Sequence, residues 1–414
     1  MSRPSTARRL QLALTSGTTI VVGGGEGEPR TLVRALREIC CTLSAVEVVF
    51  GIHGGADWDE HGCPGTTVLR FGWFGQPPRA ERRDVIVRLP YSQIPQFLDG
   101  RDIVVLAKVS PPRNGLHSLS MTAEYLPAAI DKARTTLVEV DEAAPWVTTT
   151  CAVAADVVEV MEVVERASSS DVDVTAPPLG DTSGPLASIV ERTVPDGAVV
   201  QLGLGRIIDN ALAGLRPRRG LRVRSGSLST VAAQLWACGV LDTDHPAIAT
   251  ALFGGSEVRE WASRGNVLLE RVEATHSESL VGLVGFHSIN AAVQVDLAGN
   301  INTEMAGGRY VGAMGGAPDF AAAAVRSPGG QSVFVLPSTA HTDRVSRIVP
   351  QPVELTTVPA SDVSLVITEW GSAQVNGLGL RERAHALAVI AHPQFRAELL
   401  DHADRVVDRI EDRR

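Results

Sequence analysis

Aromatic residues make up only 4 % of this 414-residue chain, and no uninterrupted apolar run reaches the length of a membrane-spanning helix. Three arginines lie within Met1–Leu10, but no apolar stretch follows them, so a secretory signal peptide is not predicted. These absences predict a cytoplasmic protein with no membrane partner.

Cysteine is scarce too. The five cysteines are odd in number and form no CxxC pair, and they stand at Cys40, Cys41, Cys63, Cys151 and Cys238. Such spacing predicts neither a disulfide framework nor a zinc site.

One short segment does carry several side chains that can bind a metal, namely His53, Asp57, Asp59 and His61. Alternating histidine and aspartate can hold a metal ion. The surrounding residues, 51–62, are rich in glycine and are typical of a solvated loop, so we expect no metal.

Basic charge is in deficit, with 38 lysines and arginines against 47 acidic residues and a net charge of −9. No basic stripe interleaved with aromatic residues occurs, so a nucleic-acid partner is not expected. What the chain does have is 44 % hydrophobic residues, with abundant alanine, valine and glycine. This composition is typical of an α/β protein with buried valine-rich strands.

Short Val/Ile-rich runs alternate with amphipathic stretches along the chain. The runs that predict buried strands are Thr19–Val22, Val46–Phe50, Ile103–Val109, Thr136–Val140 and Ala198–Leu202. After the first run, Leu32, Leu36 and Ile39 recur at helical spacing. This alternation indicates largely parallel sheets with helices on their faces.

The polar residues 168–185, rich in Pro, Gly and Ser, form the best linker candidate in the sequence. After them the strand-and-helix pattern restarts, with a helix predicted near Leu186–Thr193. We therefore predict an N-terminal α/β domain over 1–167, a linker over 168–185 and a C-terminal α/β domain over 186–414.

Two glycine turns follow predicted strands or precede predicted helices. Gly203 and Gly205 come directly after the Ala198–Leu202 strand, and Gly315 and Gly316 precede an alanine-rich helix at Ala321–Val325. Free backbone N–H groups at such turns can bind an anion or an oxyanion. The alternative is a tight turn with no ligand.

A series of short motifs, in a fixed order from residue 23 to residue 395, resembles the acetyl-CoA hydrolase/transferase family, which includes 4-hydroxybutyrate CoA-transferases. The motifs are Gly27-Glu28-Pro29, Val109-Ser110-Pro111-Pro112 with Ser118-Leu119-Ser120, Gln201-Leu202-Gly203-Leu204-Gly205, Ser288-Ile289-Asn290-Ala291-Ala292-Val293-Gln294-Val295-Asp296-Leu297, Gly315-Gly316 with Asp319-Phe320, Leu336-Pro337-Ser338-Thr339-Ala340, Ser346-Arg347-Ile348-Val349-Pro350, Thr368-Glu369-Trp370-Gly371 and Leu380-Arg381-Glu382-Arg383-Ala384.

The resemblance implies two CoA-transferase-like α/β domains with the active site between them and coenzyme A mainly on the C-terminal domain. It also implies covalent catalysis without a metal, in which a glutamate attacks the thioester carbonyl and forms first an anhydride and then a glutamyl-CoA thioester. That chemistry needs a carboxylate, which both attacks and leaves readily.

This sequence departs from the family at the position that we align with the nucleophile, where it has Gln294. An amide nitrogen is a poor nucleophile because its lone pair is delocalised into the carbonyl group. A second departure lies at 223–230, where the family has Val-His-Thr/Ser-Glu and then an aspartate. Here Arg224, Gly226 and Thr230 take the histidine, glutamate and aspartate positions. An engineered Glu→Gln exchange would explain only Gln294, so we favour natural divergence.

The resemblance leaves Glu369 as the acidic side chain expected at the reaction centre. It would act as a general base, and any remaining activity should depend on it most. The alternative is a carboxylate that only holds a loop. His287, seven residues before Gln294, is a second candidate base, although such a histidine is more often just hydrogen-bonded.

The remaining candidates fall into two groups. For polarising a thioester carbonyl or holding a substrate carboxylate we predict Gln294, Asn290, Gly315, Gly316 and Arg224. For binding coenzyme A we predict Gly203, Gly205, Ser338, Thr339 and Arg347, with the arginine on a phosphate. Glu304 is as consistent with a surface position as with a site.

We therefore predict an enzyme that acts on an acyl-CoA without a glutamyl anhydride, by hydrolysis or by acyl transfer to a substrate nucleophile. Two alternatives stay open: a retro-Claisen C–C hydrolase acting on a CoA thioester, and a catalytically silent acyl-CoA-binding subunit. The expected partner is a small acyl-CoA, and the sequence also allows a homo-oligomer such as a homodimer.

Overall fold

The computed structural model describes residues 5–51, 58, 63, 65–72, 84–164, 184–340 and 343–411. The predicted histidine and aspartate segment lies almost wholly outside these residues, as does most of the predicted linker. The chain divides into two compact units, one made of residues 1–175 and 246–275, the other of residues 176–245 and 276–414.

Twelve α-helices lie in the described part of the chain. Their bounds are α1 Thr6–Ala13, α2 Arg30–Ile39, α3 Ile94–Phe97, α4 Leu126–Lys132, α5 Pro185–Thr193, α6 Arg206–Leu212, α7 Thr230–Ala237, α8 Ser256–Trp261, α9 Val272–Thr275, α10 Ala317–Arg326, α11 Leu380–Val389 and α12 Pro393–Glu411.

Strands over the same described residues are mostly short. Those up to residue 164 are β1 Thr18–Val22, β2 Val46–Phe50, β3 Thr66–Arg70, β4 Asp84–Ile86, β5 Asp102–Val109, β6 Leu116–His117, β7 Thr135–Asp141, β8 Thr148–Thr149, β9 Val153–Ala154 and β10 Glu159–Val164. Those from residue 199 to 310 are β11 Val199–Leu202, β12 Arg222–Val223, β13 Ser227–Leu228, β14 Ala247–Ala249, β15 Ala251–Leu252, β16 Val267–Leu269, β17 Phe286–Ala291, β18 Gln294–Asp296, β19 Ile301–Asn302, β20 Met305–Ala306 and β21 Arg309–Tyr310. The last six are β22 Gln331–Val335, β23 Thr339–Ala340, β24 Val345–Ser346, β25 Ile348–Val349, β26 Leu365–Thr368 and β27 Gly371–Gln374.

The first unit is built on a seven-stranded sheet in the order β10-β7-β5-β1-β2-β3-β4, and all of its neighbouring strands are parallel. Every residue of the central strand β1 is buried, as expected for a parallel strand covered on both faces. On one face Leu32, Leu36 and Ile39 of α2 pack into the core with Ile20 and Val48.

The second unit is built on a six-stranded sheet in the order β12-β11-β17-β22-β26-β27. Its first five strands are parallel, and only the edge strand β27 runs antiparallel, next to β26. A small sheet of β18, β19 and β25 lies beside it in the same unit. Phe334 and Val366 of the central strands join Leu387 and Ile390 in the core of this unit.

The predicted α/β class with mainly parallel sheets is confirmed, and the predicted strands agree with the observed ones to within one residue at each end. The domain boundaries differ. Residues 246–275, which the sequence analysis gave to the C-terminal domain, belong to the first unit. The reason is strand pairing, because β14 and β16 of this segment form a parallel sheet with β8.

The cysteines also differ from expectation, because Cys40 and Cys63 form a disulfide. Cys40 directly follows α2, and Cys63 precedes β3, so parallel pairing of β2 and β3 brings the two segments together across 23 residues of sequence. The Cys41 Sγ lies 3.4 Å from the Cys63 Sγ. Spacing along the chain could not predict this grouping.

Among the residues that the structure describes, no helix combines the length and the apolar character needed to span a membrane.

Helix packing in the second unit depends on a glycine. A β-carbon added to Gly214 would lie 2.0 Å from the carbonyl oxygen of Ala187 on α5, and a backbone atom cannot swing aside. We expect Gly214→Ala to lower the free energy of unfolding by about 1–3 kcal/mol, the usual cost of overpacking. Denaturant unfolding measures this.

The matched control is Gly282→Ala, where an added β-carbon would meet nothing within 4 Å. That variant should stay within about 0.5 kcal/mol of the parent protein. Equal stabilities for the two variants would contradict the close packing of α5.

Candidate active site

The predicted site residues of the second unit follow the carboxyl ends of its parallel strands. Gly203 follows β11, Ser338 follows β22 by three residues, and Glu369 follows β26. Asn290 lies at the carboxyl end of β17, and Gln294 begins β18 just beyond it. Since these strands are parallel, all of these residues lie along one edge of the sheet, the edge where open α/β sheets usually bind ligands.

The first glycine turn is explained by its own backbone. The Gly203 N–H donates to the Ile289 carbonyl oxygen over 2.8 Å. A β-carbon on Gly203 would lie 2.7 Å from the same oxygen. Gly205 has φ +113°, a conformation that favours glycine, and it precedes α6. The close approach at Gly203 and the positive φ at Gly205 explain both glycines as parts of a strand-to-helix turn with no ligand. Binding of coenzyme A by Gly203 and Gly205 stays a prediction.

The amide group of Asn290 is paired inside the protein. Gln201 Nε2 donates to Asn290 Oδ1 over 3.1 Å, and Asn290 Nδ2 donates back to Gln201 Oε1 over 2.9 Å. Both side chains are buried. The pair joins β11 to β17, so the predicted donor to a thioester carbonyl is engaged in a cross-strand contact.

Gln294 is engaged in a similar way. Its Oε1 accepts a hydrogen bond of 3.0 Å from Asn302 Nδ2, which also donates to the Met305 carbonyl oxygen over 2.8 Å. These contacts hold the amide across the β18–β19 pair. An uncharged side chain fixed by its oxygen in this way has no nucleophilic atom to offer.

Arg347 ties two of the predicted segments together. Its Nη1 donates to the Val293 carbonyl oxygen over 3.0 Å, and its Nε donates to the Thr339 carbonyl oxygen over 3.2 Å. Within the described ranges no carboxylate forms an ion pair with this guanidinium, and burial lowers its pKa. A partly buried cation that bonds only to carbonyl groups is suited to receive an anion.

Glu369 accepts hydrogen bonds from the loop that follows β22. Ser338 donates to its carboxylate from the backbone nitrogen, over 2.9 Å to Oε2, and from the hydroxyl group. The Trp370 indole nitrogen donates to the same hydroxyl oxygen over 3.1 Å. This is the geometry of the loop-holding alternative. The role of Glu369 as a general base stays a prediction.

His287 lies at the amino end of β17. Its Nδ1 is 2.9 Å from the Gly285 carbonyl oxygen, and burial lowers its pKa. Asn290 lies three positions further along the strand, which amounts to about 10 Å and places the two side chains on opposite faces. The structure therefore does not bring His287 to the edge where the other predicted residues lie.

Arg224, just beyond β12, is exposed, and its backbone nitrogen donates to Val200 over 3.0 Å. Glu304 is fully buried and accepts a hydrogen bond of 2.8 Å from the Thr357 hydroxyl, so the surface alternative for it is wrong.

His276 was not among the predicted residues. It is 5 % exposed, and its ring lies tilted against Phe320 of α10, with 4.6 Å between ring centroids. A β-carbon on Gly226 would lie 3.0 Å from its Cε1 and Nε2 atoms. A β-carbon on Gly316 would lie 2.4 Å from Nε2. The only signal in the sequence was indirect: Gly226 stands where the family resemblance implies a glutamate.

A cleft of about 260 Å³ opens elsewhere in the second unit. It is lined by the segments Asp296–Ala298 and Pro350–Pro352 and by Ala384 and His402, among others. Its lining contains none of the predicted site residues.

The first unit also has a buried acid that was missed. Glu124 is 3 % exposed, has φ +45°, and its Oε1 accepts a hydrogen bond of 3.4 Å from Tyr91. A β-carbon on Gly24 would lie 3.0 Å from its Oε2. Burial raises the pKa of this carboxyl group from 4.5 to about 7. No recognised motif pointed to it.

Comparison with known proteins agrees with this architecture. A family model described as the acetyl-CoA hydrolase/transferase C-terminal domain matches residues 258–403. The chain is 30 % identical to the 4-hydroxybutyrate coenzyme A transferase of Clostridium kluyveri, over 96 % of both proteins. Its fold is similar to that of RipA from Yersinia pestis, with a TM-score of 0.84, 24 % identity and 97 % coverage of both chains. The 4-hydroxybutyrate CoA-transferase of Porphyromonas gingivalis gives a TM-score of 0.77 at 23 % identity, with the same coverage. The expected CoA-transferase-like fold is confirmed.

The buried carboxyl group of Glu124 predicts a pH-dependent stability. Its folded-state pKa lies above the unfolded value, so its contribution is fully present below about pH 4.5 and is lost as the pH rises through about 7. The loss should reach roughly 3 kcal/mol, at 1.36 kcal/mol per pKa unit. Urea unfolding at pH 5 and pH 8 measures it.

Glu124→Gln cannot ionise, so it should lose less stability between the two pH values than the parent protein does. Glu142→Gln, at an exposed glutamate, is the matched control and should behave as the parent protein does. An equal loss in Glu124→Gln and the parent protein would show that Glu124 is ionised in the folded state at pH 5.

Proposed function

The chain belongs to the acetyl-CoA hydrolase/transferase family, and we propose that it processes acyl-CoA thioesters without forming a glutamyl anhydride. The reaction is hydrolysis or transfer of the acyl group to a substrate nucleophile. One observation carries the proposal: neither position at which the family resemblance implies a glutamate, 226 or 294, has a carboxylate.

Position 294 offers an amide whose oxygen is bonded to Asn302. Position 226 offers no side chain, and a β-carbon there would lie 3.0 Å from the ring of His276. A covalent route through either residue would have no attacking carboxylate. Direct attack on the carbonyl group by water or by an acceptor needs only a base and a polarised carbonyl oxygen.

Coenzyme A binds, in this proposal, against the loop that carries Ser338, Thr339 and Arg347. Two sets of hydrogen bonds hold this loop. Ser338 donates to the Glu369 carboxylate, and Arg347 donates to the carbonyl oxygens of Val293 and Thr339. Arg347 would place its unpaired positive charge on a phosphate of the coenzyme. Gly315, with φ +58°, and Gly316 would present backbone N–H groups to the thioester oxygen.

Removing the Arg347 guanidinium should weaken acyl-CoA binding. A charge-assisted hydrogen bond contributes about 1.5–3 kcal/mol, so Arg347→Ala should raise the Kd by roughly ten-fold to a hundred-fold. Calorimetric titration with acetyl-CoA and butyryl-CoA measures this.

Arg383→Ala is the matched control. Arg383 also donates from Nη1 to a backbone carbonyl, that of Ala298, over 3.0 Å, but it lies on α11. Its loss should leave the Kd unchanged. Equal weakening in both variants would show that Arg347 acts only by holding its loop.

Two other outcomes are compatible with the same fold. A retro-Claisen hydrolase would cleave a C–C bond β to the thioester. A silent subunit would bind acyl-CoA and leave it intact, and the internal pairing of Asn290, Gln294 and Glu369 favours this second candidate, because their polar groups are already used.

Turnover separates these possibilities. We expect incubation with a panel of acyl-CoA thioesters to release free thiol, measured with a thiol reagent, while intact-protein mass spectrometry finds no coenzyme A attached to the chain. Release of a shortened acyl-CoA without free thiol would support the retro-Claisen alternative. Binding without any turnover would identify a silent subunit, and a trapped glutamyl-CoA thioester would refute the proposal.

A further inference from the structure

The imidazole of His276 is enclosed by two glycines and an aromatic ring. An added β-carbon would stand 3.0 Å from Nε2 at Gly226 and 2.4 Å from it at Gly316. At Gly316 an added side chain would force the ring to shift, and at Gly226 it would force the ring to give by a few tenths of an ångström. On a third side the ring is confined by Phe320, 4.6 Å away between ring centroids. Glycine at 316, and to a lesser degree at 226, therefore makes room for a histidine ring in this place.

The position of this ring within the second unit links it to the proposed reaction. Gly226 stands three residues beyond β12, which pairs in parallel with β11 and so ends at the same sheet edge. Gly316 precedes α10 and belongs to the turn proposed to bind the thioester oxygen. The ring thus lies against both the position where the family resemblance implies a glutamate and the turn that would face the carbonyl group.

We infer that His276 is the general base of the reaction and replaces the missing carboxylate by a different chemistry. The inference rests on the proposed function, since it requires an acyl-CoA that is turned over. A neutral imidazole accepts a proton near neutral pH, which an amide such as Gln294 cannot do.

The step balances without a further reactant. The oxygen of a water molecule bonds to the thioester carbonyl carbon, and His276 takes the proton that the water gives up. The tetrahedral intermediate then collapses, the C–S bond breaks, and the imidazolium returns the proton to the coenzyme A thiolate. The products are a carboxylic acid and coenzyme A.

The test uses the full-length protein and the acyl-CoA that shows the fastest thiol release. His276→Ala should lower kcat by about a hundred-fold to ten-thousand-fold, the usual contribution of a general base, with KM changed by no more than a few-fold. Removing the ring leaves a space between Gly226, Gly316 and Phe320. Added imidazole should enter it and restore part of kcat.

His276→Gln fills that space with a side chain that is not a base. It should be as slow as His276→Ala, but imidazole should not rescue it. This contrast separates lost chemistry from lost packing, because a merely structural histidine gives no rescue in either variant. His245→Ala, at an exposed histidine of the same unit, is the control and should retain full activity.

Each result decides the matter. Full activity in His276→Gln, or a loss in His276→Ala that imidazole does not relieve, overturns the inference while the proposed function stands. A large loss in His287→Ala, with His276→Gln active, moves the base to His287. If His276→Ala does not fold, the rate of His276→Gln alone decides. A parent chain that binds acyl-CoA but releases no thiol overturns both the inference and the proposed turnover.

Discussion

The parallel alignment of β11, β17, β22 and β26 is the constraint on which the site depends. Parallel strands deliver the residues that follow them to one edge of the sheet, so residues from 203 to 369 become neighbours without being close in sequence. Contacts between strands then fix the relative positions of the strand ends. The carboxyl ends of β11 and β17 are joined by the hydrogen bond from Gly203 to Ile289 and by the amide pair of Gln201 and Asn290.

The polar side chains along this edge are largely satisfied by the protein itself. Asn290 bonds to Gln201, Gln294 to Asn302, and Glu369 to Ser338. Such pairing makes the edge rigid, because each side chain has one favoured arrangement. It also means that Asn290, Gln294 and Glu369 could take part in chemistry only by giving up a hydrogen bond within the protein.

Much of the fold was predictable from sequence because its signals are local. The strands β1, β2, β5, β7 and β11 are rich in valine and nearly all of their residues are buried, as expected of strands covered on both faces. The order of family motifs predicted the fold type. The segment 246–275 was assigned to the wrong unit, because its pairing partner β8 lies about a hundred residues earlier in the chain. A two-residue strand such as β8 is too short to show an apolar periodicity in the sequence.

The site was predictable as a set of segments and not as a set of contacts. Motifs located Ser338 and Glu369 but could not show that one bonds to the other. His287 was chosen for its nearness to Gln294 in sequence, yet a strand that runs between them carries it to the far end. His276 matches no motif. The only trace of it in the sequence is the pair of glycines at 226 and 316. That these glycines lie beside His276 becomes visible only in the structure.

The enclosure of the His276 ring has a consequence for how such a protein can change over generations. A β-carbon at position 226 would lie 3.0 Å from two atoms of the imidazole, so a glutamate there requires the ring to move by a few tenths of an ångström or to be absent. At position 316 the corresponding distance to Nε2 is 2.4 Å, and any side chain there requires a larger shift. Substitutions at 226, 276 and 316 are therefore coupled, and the effect of one on stability depends on which residues occupy the other two positions.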